Sequence, residues 1–272
     1  MQQEELKARL DDLAASIVTD RGVLDQFVEH WGQGFHDYSF GNLLLIWSQK
    51  PTAGLCAGFQ QWKRVGRFVK AGEHGLAILA PLMFKNKDED GKEEGKEPSY
   101  SLRGFRVVYV FDYSQTDGKP LDLGRKAITG QAEVSLEDVM AKFPEYQWTV
   151  ESDARQENGK TDGKQIFITK RPDPRAMLST VFHELAHAVL GHAGSDIDRT
   201  RREAEAEAVA YVVGGSVGIK NEDAGKYVGV WHGDKKVLTE SGLRILKTAE
   251  TILRRIIPDR FGRTFQPSTE EA

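Results

Sequence analysis

Two histidines four residues apart, with a glutamate beside the first, stand at His183-Glu184-Leu185-Ala186-His187. On a helix, positions i and i+4 share a face, so His183 and His187 can offer two imidazole nitrogens to one metal ion. Glu184 then lies one step round, where a carboxylate could take a proton from water activated by that metal. This is the chemistry of a zinc hydrolase, with Zn2+ as the expected cofactor. Such a site needs a third protein ligand, and a glutamate on a second helix is the usual donor. Arg202-Glu203-Ala204-Glu205-Ala206-Glu207, at the head of an alanine-rich stretch, supplies the candidates. Glu203 and Glu207 share a face. The reading takes Glu203 as ligand and Glu207 as the acceptor that orients a ligand histidine, with the reverse assignment open. Glu205 points towards the side of Val209 and Val212 and reads as a solvated acidic position. Tyr211 and His192 are candidates to donate to an oxyanion.

The elements that must hold these residues are legible around them. Asp173-Pro174 reads as an N-cap followed by proline in the first turn, and Gly191 as the stop, so the His motif lies on a helix. The apolar stripe Met177, Val181, Leu185 and Ala188 or Val189 anchors it. The second helix runs to Gly214-Gly215. Upstream, Ser135 with Asp138 reads as a capping box for a helix over 136–143. Trp148–Val150 and Gln165–Thr169 alternate as strands around a polar Asn158-Gly159…Asp162-Gly163 connection. Leu243, Leu246, Ala249, Ile252 and Ile256 give a closing amphipathic helix.

The first half has a different character. Leu6, Leu10, Leu13 and Ile17 give an opening helix, and Asp20 caps a second with Val23, Leu24, Phe27, Val28 and Trp31 inside. An aromatic loop follows to Phe40, and Leu43–Trp47 reads as a buried helix ended by Pro51. Beyond Gly58 the aromatics Phe59, Trp62 and Phe68 are interleaved with Lys63, Arg64, Arg67 and Lys70, with no acid between them. Cations that track phosphates, next to rings that stack on bases, suit single-stranded nucleic acid; the alternative is that the rings are core and the cations its solvated side. Leu76–Ala80 and Phe105–Phe111 read as strands, 84–100 as a charge-rich excursion, Gln115-Thr116-Asp117-Gly118 as a turn, and the stretch from there to about Ser135 as a linker.

Composition bounds the rest. The 272 residues carry 39% hydrophobic and 29% charged residues and a net charge of −4, so any nucleic-acid affinity must be local. Nothing approaches a membrane-spanning run. The one cysteine, Cys56, excludes an internal disulfide framework. With Met1-Gln2-Gln3-Glu4-Glu5 lacking the order of a secretory signal, it points to a cytoplasmic protein.

Several of these motifs occur together in one family. Tyr38-Ser39-x-Gly41-Asn42 with Gln49-x-Pro51, Gly58-Phe59-x-x-Trp62, Gly66-Arg67-x-Val69-Lys70-x-Gly72 and Val110-Phe111-Asp112 with Gln115-Thr116-x-Gly118 resemble the ArdC-type antirestriction proteins of mobile elements. His183–His187 and Arg202–Glu207 extend the resemblance, which covers roughly residues 5–220. It implies an α+β chain: an N-terminal α/β domain that binds single-stranded DNA (1–130), a zincin-like metallopeptidase domain (131–260) and a tail (261–272). It also implies a protein substrate, and DNA contacts drawn from Tyr38, Asn42, Phe59, Trp62, Lys63, Arg64, Arg67 and Lys70. The segment between His187 and the second helix is shorter than in the better-known plasmid members, closer to zincin-like regulators that cleave repressors. Two other readings are a single-strand-shielding protein with a vestigial or structural zinc, and a repressor-cleaving regulator.

Overall fold

The computed structural model describes residues 2–31, 38–85, 100–119, 121, 134–152, 158–219 and 235–258. The aromatic loop before Tyr38, the body of the charge-rich excursion, the linker with the expected boundary near 130, and the tail fall outside these residues. The structure is mixed α and β, as expected.

Helices α1 (Gln3–Thr19), α2 (Arg21–Trp31) and α3 (Phe40–Gln49) open the chain. Asp20 accepts from the backbone of Gly22 and Val23, and Ser39 caps α3 by accepting from Asn42 N. Strands β1 (Cys56–Gly58), β3 (Leu76–Lys85) and β4 (Tyr100–Asp112) form an antiparallel sheet in the order β1-β4-β3. Between β1 and β3 lie the short helix α4 (Phe59–Arg64) and β2 (Arg67–Val69). β2 pairs with β5 (Thr116–Gly118), which the sequence reads as a turn. α3 runs along the outer edge of β3. There the side-chain amides of Asn42 and Gln49 each donate to and accept from one residue of the strand, Leu79 and Ala77 respectively, at 2.9 Å. Two amides seven residues apart thereby satisfy a sheet edge that would otherwise present open backbone groups.

The second half contributes α5 (Leu136–Lys142), β6 (Gln147–Glu151), β7 (Gly159–Thr161), β8 (Gln165–Thr169), α6 (Pro174–Leu190), α7 (Arg199–Ser216) and α8 (Lys235–Ile256). Ser135 and Asp138 form the expected capping box. β6 and β8 are parallel neighbours, and β7, inside the expected polar connection, pairs antiparallel with β8. α7 continues through Gly214-Gly215 to Ser216, because flanking valines bury that end of the helix.

One buried core runs through both halves, from Ile17, Phe27 and Leu44 to Phe182, Val209 and Leu253. Two glycines set how closely the halves approach. A Cβ on Gly242 of α8 would stand 2.6 Å from the Ala14 carbonyl carbon in α1, and one on Gly215 of α7 would stand 2.5 Å from a methyl of Val28 in α2. At Gly242 the two helix backbones meet without a side chain between them, and at Gly215 the Val28 side chain rests directly on the α7 backbone. No described helix is long and apolar enough to cross a membrane.

Candidate metal centre

The site is built on α6 and α7. Asp173 caps α6 by accepting from Arg175 N, proline occupies its first turn, and Gly191 ends it at φ 68°, in the left-handed region. The helix buries Leu178, Val181, Phe182 and Leu185 and turns His183 and His187 towards α7. Asp198 caps α7, whose alanines allow close packing against α6.

Among the described residues, His183, His187 and Glu203 are the group able to converge on one cation. Their donor atoms form a triangle: Nε2 to Nε2 3.1 Å, and Glu203 Oε2 to the two nitrogens 3.5 and 3.6 Å. Metal–ligand bonds of about 2.1 Å in a tetrahedron put neighbouring donors roughly 3.4 Å apart, so these residues fit a zinc-sized ion. Glu207 lies behind the triangle, its Oε2 2.9 Å from His183 Nδ1. Glu184 is buried, and Gly159 of β7 presses against it: a Cβ there would stand 2.9 Å from Glu184 Cγ and 2.7 Å from Thr180 Cγ2. The sequence reads Gly159 as part of a polar connection; its role as the point where β7 meets α6 carries no spacing signal.

The charges of the three donors follow from their neighbours. For His183, burial opposes the charged form, but hydrogen bonds to Glu203 and Glu207 outweigh it and raise the pKa to about 9. His187 is pushed down to about 4 by burial and by the neighbouring His183. The bond from His183 holds Glu203 down at about 2, against a smaller cost of burial. Without an ion the triangle therefore holds one proton, on His183.

Three expectations near the site are corrected. Glu205 is fully buried rather than solvated. It accepts from His192 Nε2 at 3.0 Å, Arg201 Nε at 3.1 Å, Ser241 Oγ at 2.8 Å and Arg244 Nε at 3.2 Å. Burial penalises this carboxylate, yet those partners hold it ionised, down to about 2. His192 is no oxyanion donor: it is buried behind His187, Nδ1 to Nδ1 at 2.8 Å. Tyr211 turns away as well, donating to Asp25 and accepting from Arg21 Nη2 of α2 at 3.2 Å.

In the first half the structure divides the expected DNA contacts. Trp62 is fully buried and donates from Nε1 to the Phe111 carbonyl at 2.9 Å. Arg67 is 5% exposed and spends its guanidinium on Thr116, Tyr113, Gly118 and Lys119, clamping β2 to β5. Tyr38 donates to the Cys56 carbonyl at 3.1 Å, and Asn42 is committed to the β3 edge. Trp62 and Arg67 are thus held by the fold, because a ring or guanidinium saturated by protein atoms has no face left for a base or phosphate, whereas Tyr38 and Asn42 are half-buried with their polar groups engaged. Phe59, Lys63, Arg64 and Lys70 are exposed. Lys70 bonds the Ser114 carbonyl at 2.9 Å and pairs with Asp117 at 3.8 Å. The sequence reading missed the exposed Tyr109, Phe105, Arg103 and Arg106 of β4, which its strand pattern cannot assign to a solvent face.

Residues 24–111 match the N-terminal domain of anti-restriction factor ArdC, and residues 140–213 match the IrrE N-terminal-like domain, a peptidase family. The fold is similar to crystal structures of the antirestriction ArdC protein of plasmid R388. The metal-free form matches with a TM-score of 0.57 at 16% identity, covering 93% of this chain and 99% of that one. The Mn(II)-bound form matches with a TM-score of 0.56 at 18% identity, covering 93% and 98%. An uncharacterized protein of Bacillus anthracis, pXO2-81, is 23% identical over 92% of this chain. The chain spans 50% of the length of that curated relative. The chain thus joins an ArdC N-terminal domain to an IrrE-like, zincin-type domain on a fold like that of ArdC, and in this it is similar to the ArdC-type antirestriction proteins.

Proposed function

We propose that this protein binds single-stranded DNA through its N-terminal half and hydrolyses a peptide bond at a zinc site held by His183, His187 and Glu203. The observation that carries the second part is the triangle of donor atoms with sides of 3.1, 3.5 and 3.6 Å on two helices, flanked by the buried Glu184. When bound, a zinc ion supplies a Lewis acid for the carbonyl and makes a water acidic near neutral pH. Glu184 accepts the attacking water's proton on a carboxylate oxygen and passes it to the departing amine nitrogen as the C–N bond breaks. Glu207 holds the His183 ring by accepting from Nδ1, which leaves Nε2 as the ligand atom. The reading of metal dependence draws support from the Mn(II)-bound ArdC structure. A protein encoded on a mobile element with both activities would protect incoming DNA from host restriction, the role in the name of the R388 relative.

The DNA surface is supported by rings and cations that the fold leaves at the surface. Phe59 is 52% exposed and meets Phe111 edge-on at 6.4 Å; Tyr109, on the same face of β4, is 49% exposed. Lys63 and Arg64 follow Phe59 on α4. Stacking rings beside cations bind a strand with little regard to base identity.

The catalytic part is tested with Glu184→Gln, which is nearly isosteric but cannot accept a proton. The zinc-loaded variant is expected to keep its metal and fold and to lose cleavage of candidate host proteins that the wild type cuts. Cleavage at the wild-type rate would remove Glu184 from the reaction.

A further inference from the structure

We infer that His192 and Glu205 form a relay that fixes the tautomer of His187, making both of them positioning residues for the metal site. The inference rests on the proposed assignment of His187 as a ligand. The left-handed turn at Gly191 folds the chain back, so that His192 N donates to the His187 carbonyl at 3.1 Å. The His192 carbonyl is itself held by Arg202 Nη1 and Ser195 Oγ, at 3.1 and 3.0 Å. The ring is therefore fixed from its own backbone, and its two nitrogens have one partner each. Nε2 is 3.0 Å from Glu205 Oε2, and Nδ1 is 2.8 Å from His187 Nδ1.

The donor–acceptor order follows from the chemistry of these groups. An ionised carboxylate only accepts, so His192 donates from Nε2. Two facing Nδ1 atoms can hold one proton between them. An imidazole with its single proton on Nε2 accepts at Nδ1, so the shared proton belongs to His187. His187 Nε2 is then left with its lone pair, 3.1 Å from His183 Nε2 and 3.6 Å from Glu203 Oε2, where a metal ligand must be. Once its Nε2 proton is expelled, His183 reaches the same state by a shorter route, through Glu207 alone. All three alternate glutamates of α7 thus serve the site: one at the ion and two behind the imidazoles. Glu205 differs in being anchored by α8 through Ser241 and Arg244, so the ligand geometry of His187 is tied to a third helix.

The test uses the full-length protein with His192→Gln and His192→Leu. A glutamine amide can accept from His187 and donate to Glu205, reproducing the order; leucine fills similar space and can do neither. Zinc affinity is read by competition with a chromophoric chelator, the fold by the unfolding midpoint of the metal-free form, and the tautomer by long-range 15N–1H imidazole spectra of the metal-free protein. His192→Leu should weaken zinc binding roughly 10- to 100-fold. His192→Gln should stay within a few-fold of wild type, and wild-type His187 should carry its proton on Nδ1. Equal affinity in wild type and a folded His192→Leu, or equal losses in both variants, would overturn the relay and leave the metal site standing. Absence of zinc uptake by the wild type would overturn the metal site instead. The relay then rests on the spectra, as it does if His192→Leu fails to fold, and a proton on Nε2 of wild-type His187 would overturn it.

Discussion

The proton held on His183 gives the metal site a measurable signature. Glu203, held at about 2, and His187, at about 4, are already deprotonated at pH 7, whereas His183, raised to about 9, is not. Metal binding at His183 Nε2 must expel that proton, so affinity should rise with pH until about 9 and then level off. Calorimetry of zinc binding at pH 7 in buffers of different ionisation enthalpy should report close to one proton released; none released would show that His183 is neutral in the metal-free protein. At this scale the sequence was informative about helix faces. The i, i+4 spacing assembles His183 with His187 and aligns Glu203 with Glu207. It also put Glu205 on the side of Val209 and Val212, both fully buried, so reading Glu205 as solvated set aside what its own helix face implied. What spacing cannot supply is the partners, His192 and Arg201 nearby and Ser241 and Arg244 from α8, that make a buried carboxylate tolerable.

The longer helices announced themselves through caps and stripes, from Asp20 to Asp173-Pro174 and Gly191, whereas the short helix α4 and the three-residue strands β1, β2, β5 and β7 did not. Elements so short take their conformation from the neighbour they pair with, and Arg67 and Gly159 are needed for contacts far away in sequence. The same limit explains Trp62 and Arg67. A basic-aromatic interleave looks alike whether its rings face a ligand or a core, and only the packing of α4 on β4 separates Phe59 from Trp62. Element packing carries its own prediction. Gly242→Val places a side chain where α8 meets the Ala14 backbone, and overpacking of this kind costs about 1–3 kcal/mol or more. Urea unfolding should show the loss, and stability equal to wild type would mean that α1 and α8 do not pack this closely in solution.

Across the whole molecule, a continuous core links the half that carries the exposed rings to the half that carries the metal residues. The net charge of −4 opposes DNA binding through the overall field, so affinity should reside in Phe59, Tyr109, Lys63 and Arg64 and fall steeply with salt. In the full chain with chelator present, fluorescence anisotropy should give weaker binding to duplex than to a single strand of equal length. Phe59→Ala should cost about 1–3 kcal/mol if that ring stacks on a base. Equal affinity for duplex and single strand would defeat the stacking surface. The metal site is tested most directly by a crystal structure of the zinc-loaded protein with an anomalous difference map. One peak is expected, contacted by His183 Nε2, His187 Nε2 and Glu203, with Glu207 remaining on His183 Nδ1. A peak contacted by Glu207 in place of Glu203, or no peak between the two histidines, would contradict it.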